Sequence, residues 1–150
     1  MLDKLIFKPI YRTHNDSIDK DFYIPCYTES VELYRAVGFF SLHSLTLSID
    51  GLIHFVEKHG KINLICNPDL SMTDVKIIDA CINIDEKTVI ESLLRSILGC
   101  QITDKEIRKL DVICNMIAER KFEIKVAYQP LGIFHEKFGI FVDENKNMIY

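Results

Sequence analysis

Between Val31 and Asn67 the chain switches from a β-branched and aromatic run to a helical period and back to a short apolar run, and few folds accommodate that order. Val31 to Phe40 reads as a core strand. Leu42, Leu45, Ile49, Leu52, Ile53 and Val56 then recur at helical spacing as far as His59-Gly60, where Gly60 is expected to cap the helix. Lys61 to Asn67, centred on Ile62, Leu64 and Ile65, is a second buried strand ended by Asn67-Pro68-Asp69. A strand, a helix and a strand is the unit from which parallel and mixed sheets grow.

The rest of the chain extends that unit. Lys4 to Ile10 is expected to be a strand or arm, free to pack on a second subunit if it finds no local partner, and Tyr11 to Asp21 a polar loop. Phe22 to Tyr27 is an apolar run broken by Pro25, and Thr28 to Val31 a loop or short helical turn. Ser71-Met72-Thr73-Asp74 and Thr103-Asp104-Lys105-Glu106 have the form of capping boxes. Helices are expected near Thr73 to Cys81, Asp85 to Leu98 and Asp104 to Arg120, followed by a strand from Phe122 to Tyr128 and a turn at Gln129 to Gly132. The fold class that follows is α/β, a mixed and mostly parallel sheet flanked by helices, as one domain over residues 1–150.

The last strand carries the chemistry. Phe134 to Asp143 is aromatic and β-branched and closes on the turn-like run Asp143-Glu144-Asn145-Lys146-Asn147, so it enters a hairpin. Strand alternation puts His135, Lys137, Gly139 and Phe141 on one face, and Phe134, Phe138, Ile140 and Val142 on the other, which is expected to be core. An imidazole and an ammonium two residues apart suit phosphoryl transfer. Neutral imidazole is a nucleophile near pH 7, a fixed ammonium stabilises charge on the non-bridging oxygens, and neither role needs a metal or a cofactor.

Gly132 to Asp143, with His135-Glu136-Lys137 at its centre, resembles the His-x-Lys signature of the phospholipase D superfamily, in particular nuclease-like domains N-terminal to DEAD/DEAH-type helicases and in restriction or repair proteins. Tyr34 to Ser41 resembles the strand that opens such a domain, and Leu70 to Asp74 its loop and helix start. The resemblance implies a phospholipase D-like fold and a metal-independent DNA phosphodiesterase with His135 and Lys137 as catalytic residues, supported by Asp143, Ser41 and His43. It also implies a homodimer. The superfamily pairs two copies of the motif across a twofold axis, and this chain has one, so a second copy supplies the partner histidine. In the superfamily an acid follows the lysine at the slot held here by Val142, whereas Asp143 stands one residue later, and a Gly-Ser-x-Asn segment lies beyond where this chain ends. Either the chain is an N-terminal fragment of a longer protein, with a helicase domain in that protein or in an associated one, or its site is incomplete. The alternative function is a non-catalytic module that dimerises or positions DNA.

Composition narrows the field. With 48% hydrophobic and 27% charged residues the chain is globular, and a net charge of −4 argues against a passive backbone binder of nucleic acid. Cys26, Cys66, Cys81, Cys100 and Cys114 lack Cys-x-x-Cys spacing and read as reduced core thiols of a soluble, cytoplasmic protein. No apolar run reaches membrane-spanning length, so no membrane partner is expected. Among the remaining candidates, His54 and His59 are expected at the helix surface. His14 lies in a polar loop with Asp16 and Asp19, Glu136 at an exposed edge or against a cation, and Tyr34 and Tyr128 in the sheet core or along a groove.

Overall fold

In a computed structural model, residues 1–67, 72–83, 104–127 and 134–150 are described, apart from the side chains of His43, Asp74, Cys81, Asn83 and residues 104–106. Strands β1 (Glu32–Val37), β2 (Lys61–Cys66), β3 (Phe122–Val126), β4 (Lys137–Val142) and β5 (Met148–Ile149) form one sheet in the order β3-β2-β1-β4-β5. β1 pairs with β2 and β2 with β3 in parallel, while β1 with β4 and β4 with β5 are antiparallel. The α/β class and the mixed sheet are as the sequence indicates, with parallel and antiparallel pairings equally represented.

Among the described residues five α-helices accompany the sheet: α1 (Ile24–Glu29), α2 (Leu42–Thr46), α3 (Ile49–Glu57), α4 (Met72–Asn83) and α5 (Asp104–Ala118). All five contribute to a single apolar cluster with Leu33, Ile62, Leu64, Cys66, Phe122 and Phe141, which share one face of the sheet. The other face is open among the described residues, where Tyr34, Ile65, Phe138 and Met148 are each at least 40% exposed.

Several expectations change. The residues from Lys4 to Ile10 form no strand. A single 3-10 turn at Leu2–Lys4 is followed by extended chain, and Leu2, Leu5 and Phe7 pack on the core, so the arm has its partner within the chain. Phe7 and Tyr11 hold it through Phe22, at ring-centroid distances of 5.1 and 5.7 Å. Asp19 to Glu29 is helical rather than broken at Pro25, because the proline stands in the first turn of α1, where a missing N–H costs little, and a wider π-type turn at Asp19–Tyr23 leads into it. The long helix expected after β1 is two helices, α2 and α3. Gly51 sets the crossing of α3 on α1, since an added Cβ would meet the Ile24 carbonyl at 2.6 Å. The expected helix from Asp85 to Leu98, the turn at Gln129 to Gly132 and Tyr128 lie outside the described residues, as does Cys100. Cys26, Cys66 and Cys114 are buried, and burial pushes the Cys26 thiol up to about 12. No described helix is long and apolar enough to cross a membrane.

The helix ends contradict the expected cap at Gly60. His59 takes the left-handed conformation, φ 57°, while the His59 and Gly60 N–H groups donate to the carbonyls of Val56 and Phe55, each at 2.9 Å. Gly60 is instead required by the Phe55 ring, 2.5 Å from where its Cβ would lie. The same arrangement ends α5, with Arg120 at φ 56° and the Lys121 N–H donating to Met116. Both left-handed residues are exposed, so relief of the Cβ conflict is unopposed by lost packing. His59→Gly and Arg120→Gly are each expected to raise unfolding stability by about 0.5–1 kcal/mol. Urea titrations that show no shift in midpoint, or a fall, would contradict this.

Candidate functional site

The site residues are placed by the pairing of β1 with β4, whose register sets Val37 against Lys137, Arg35 against Gly139 and Leu33 against Phe141. β4 therefore begins where β1 ends. The residues just before it, Phe134 to Glu136, lie outside the strand at the carboxyl edge of the parallel strands, the usual place for ligands in open α/β sheets. Gly38 anchors this segment: its N–H donates to the Glu136 carbonyl at 3.1 Å. A Cβ on Gly38 would stand 2.7 Å from the Phe134 carbonyl oxygen and 3.5 Å from His135 Cα.

His135 and Lys137 are both exposed. The parity expectation needs correcting in one respect. Lys137, Gly139 and Phe141 do share a face, but it is the helix-packed face, with Phe141 2% exposed in the core, and the supposed core residue Phe138 is 52% exposed on the open side. A strand face can be core at one end and open at the other when the covering helices stop short of its end. Here the cover ends near Tyr23 of the π-type turn. The cleft left there, about 270 Å³, is lined by Tyr23, Arg35, Lys137, Gly139 and Phe141.

A larger cleft of about 440 Å³ adjoins it, sharing Tyr23 and Arg35 and extending to Tyr27, Ser44, Ser48 and Asp19. The Arg35 guanidinium lies over the Tyr23 ring, 5.7 Å from its centroid. The Tyr27 ring is held edge-on by Phe55 and Phe141 at 5.6 and 5.2 Å, while its hydroxyl is buried with no hydrogen-bond partner among the described residues. Burial raises the Tyr27 phenol well above its ordinary pKa, against the opposing pull of Arg35. No described carboxylate forms an ion pair with Arg35 or Lys137. Arg35 escaped the sequence reading because a lone arginine in a strand gives no signal; only its alternation with Leu33 and Val37, both inward, could have marked it.

The expected supporting residues fare differently. Asp143 is remote, at the far end of β4 and about 20 Å of extended strand from Lys137. It is 1% exposed. It accepts hydrogen bonds from the backbone N–H groups of Leu2, Asn145 and Asn147 and from the Asn147 side chain, at 2.9–3.0 Å. Ser41 is exposed in the turn after β1, its carbonyl accepting from Ser44. The backbone of His43 lies in α2, with its side chain outside the description. Glu136 is exposed, and Tyr34, 42% exposed, donates from its hydroxyl to Glu32 at 2.6 Å on the open sheet face. His54 is exposed beside Glu57, His59 ends α3, and His14 is in an exposed turn. Asp16 is engaged by Lys8 and the Arg12 N–H, which hold its carboxyl below the ordinary range. Among the described residues no three His, Cys, Asp or Glu side chains gather to hold a metal. A comparison of the chain with family models, curated proteins and solved structures returns no significant match.

Two outcomes follow from this geometry. Gly38→Ala is expected to displace the Phe134–Glu136 segment and to lower stability by about 1–3 kcal/mol, measured by denaturant unfolding; an unchanged midpoint would refute the close approach. Asp143 works through folding. Burial alone would raise its pKa, but the bonds from Asn147, Leu2 and Asn145 outweigh that and hold it below its ordinary value. A depressed folded-state pKa gives stability that is present above about pH 4 and lost as pH falls through the folded value. Asp143→Asn is expected to cost about 2–3 kcal/mol at pH 7 and to flatten the acid limb of stability against pH. An acid limb as steep as that of the unmodified chain would rule this out.

Proposed function

We propose that the chain is a metal-independent phosphodiesterase of nuclease type, of the phospholipase D-like kind suggested by its His-x-Lys motif, acting on DNA in a homodimer. The observation that carries this reading is the joint placement of His135 and Lys137: both are solvent-accessible at the carboxyl edge of the parallel strands, and Lys137 lines a cleft with a second cation, Arg35, neither of which has a carboxylate partner among the described residues.

The chemistry takes two displacements at phosphorus. An imidazole nitrogen of His135 attacks, the P–O bond to the leaving group breaks, and the departing oxygen takes a proton from His135 of the second copy. That second imidazole, now neutral, removes a proton from water, which attacks the phosphohistidine and returns the first imidazole. Lys137 stabilises the charge that develops on the non-bridging oxygens.

A second reading, a non-catalytic module that binds or positions DNA, is favoured by one observation. Within a single copy His135 has no hydrogen-bond partner to orient it among the described residues, and Asp143 is committed elsewhere. The deciding experiment is hydrolysis of bis(4-nitrophenyl) phosphate and of DNA in excess chelator, with sedimentation to establish the dimer. His135→Ala is expected to reduce turnover by about 10³-fold or more, and Lys137→Ala by about 10²–10³-fold. DNA binding without chelator-resistant turnover would select the second reading.

A further inference from the structure

Arg35 and Lys137 form a diagonal cross-strand pair on one face of the sheet, with Gly139 opposite Arg35 leaving the space between them unfilled. Such diagonal positions lie roughly 7–8 Å apart. Two like charges held this close, with no described carboxylate to pair with either, fit an anion that brings more than one negative group. The Arg35 guanidinium carbon lies over the Tyr23 ring, 5.7 Å from its centroid, a cation–π contact that uses none of its N–H donors, and those donors suit a bidentate acceptor such as phosphate. Beyond it, in the larger cleft, the Tyr27 hydroxyl is a buried donor with no acceptor among the described residues. The carboxylates of this cleft do not compete for these donors: Asp16 is engaged by Lys8 and Arg12, and Asp19 pairs with neither.

We propose that Arg35 and Tyr27 form a second phosphate subsite, which holds the phosphate next to the one attacked at Lys137. This rests on the reading of His135 and Lys137 given above and adds to it the residues that would hold the neighbouring phosphate of a polynucleotide strand, a group that an isolated phosphodiester such as a phospholipid headgroup lacks. Ser44, Ser48 and Asp19 line the same cleft and offer donors and an acceptor to the nucleoside beyond the second phosphate.

The test is equilibrium binding of a single-stranded DNA dodecamer to the full chain carrying His135→Ala, which blocks turnover, over a range of salt concentrations. Adding Arg35→Gln is expected to weaken binding about tenfold and to reduce the slope of log affinity against log salt by about 0.7, the loss of one phosphate contact on a single strand. Arg35→Lys keeps the charge and is expected to restore the slope, which separates lost contact from lost fold. Tyr27→Phe keeps the ring packing, removes only the donor, and is expected to weaken binding several-fold. Parental affinity and slope in both Arg35→Gln and Tyr27→Phe, with thermal midpoints intact, would overturn the subsite. Arg35-dependent binding to phosphatidylglycerol vesicles with none to the dodecamer would overturn it as well. The two proposals fail separately. Chelator-resistant hydrolysis that depends on His135, with a slope indifferent to Arg35, removes the subsite alone, whereas an Arg35-dependent slope with no hydrolysis of any diester supports the subsite and removes the enzyme.

Discussion

The antiparallel pairing of β1 with β4 is the constraint on which the rest of the structure depends. β1 is the central strand, with the parallel pair β2 and β3 on one side and the β4–β5 hairpin on the other. Because β4 runs against β1, a single register places the residues that precede β4 at the carboxyl edge of β1 and those that follow it at the opposite edge. A one-residue slip would turn Phe141 out of the core and Phe138 in, so the burial of Phe141 among Tyr23, Tyr27 and Phe22 locks the register. That packing also determines where His135 and Lys137 stand.

The opposite edge is held by polar groups rather than by packing. Asp143 gathers the N-terminal arm through Leu2 and the hairpin turn through Asn145 and Asn147. A buried carboxylate is tolerated there because its oxygens are supplied with donors, two of them rigid backbone groups of the turn it closes. The contact of the terminal amine with Glu29 and the bond from Lys146 to Glu32 lie at the same edge. Two ends of one sheet thus divide the work: one is saturated with hydrogen bonds and serves folding, and at the other Arg35 and Lys137 have no carboxylate partner among the described residues.

The regular elements were legible where one signal dominated. β1, β2, α4, α5 and the hairpin all follow from hydrophobic period and turn chemistry. The N-terminal third was not, because its aromatic residues are spaced to meet across an arm and a helix, a tertiary relation without a local period. Phe22 touching Phe7, Tyr11 and Phe141 is the example. Pro25 read as a break only because a proline in the first turn of a helix and one in a loop look alike until the preceding turn is known. At the site, His135 and Lys137 were visible as a motif and Gly38 and Arg35 were not. The value of Gly38 lies in which backbone passes over it, and that of Arg35 in the cleft it shares with Tyr23 and Lys137; neither is written in local sequence. Asp143 misled for the opposite reason: an acid near a motif looks functional, while its hydrogen bonds belong to a turn.

The open cleft follows from how far the helical cover extends along the sheet. At Leu33 and Phe141 the face is sealed by Tyr27 and Tyr23, at Arg35 and Gly139 it borders the cleft that Tyr23 lines, and at Lys137 it opens to solvent. One strand face therefore passes from core to cleft within six residues of β4. Its side chains follow that gradient, with an aromatic ring where water is excluded, a glycine where the cover ends, and a long cation where solvent begins. A lysine at the Phe141 position would be buried without a partner, and a phenylalanine at the Lys137 position would only add exposed apolar surface. The placement of charge on β4 is in this sense a consequence of packing, and the chemistry available at the edge of the sheet is what that packing leaves uncovered.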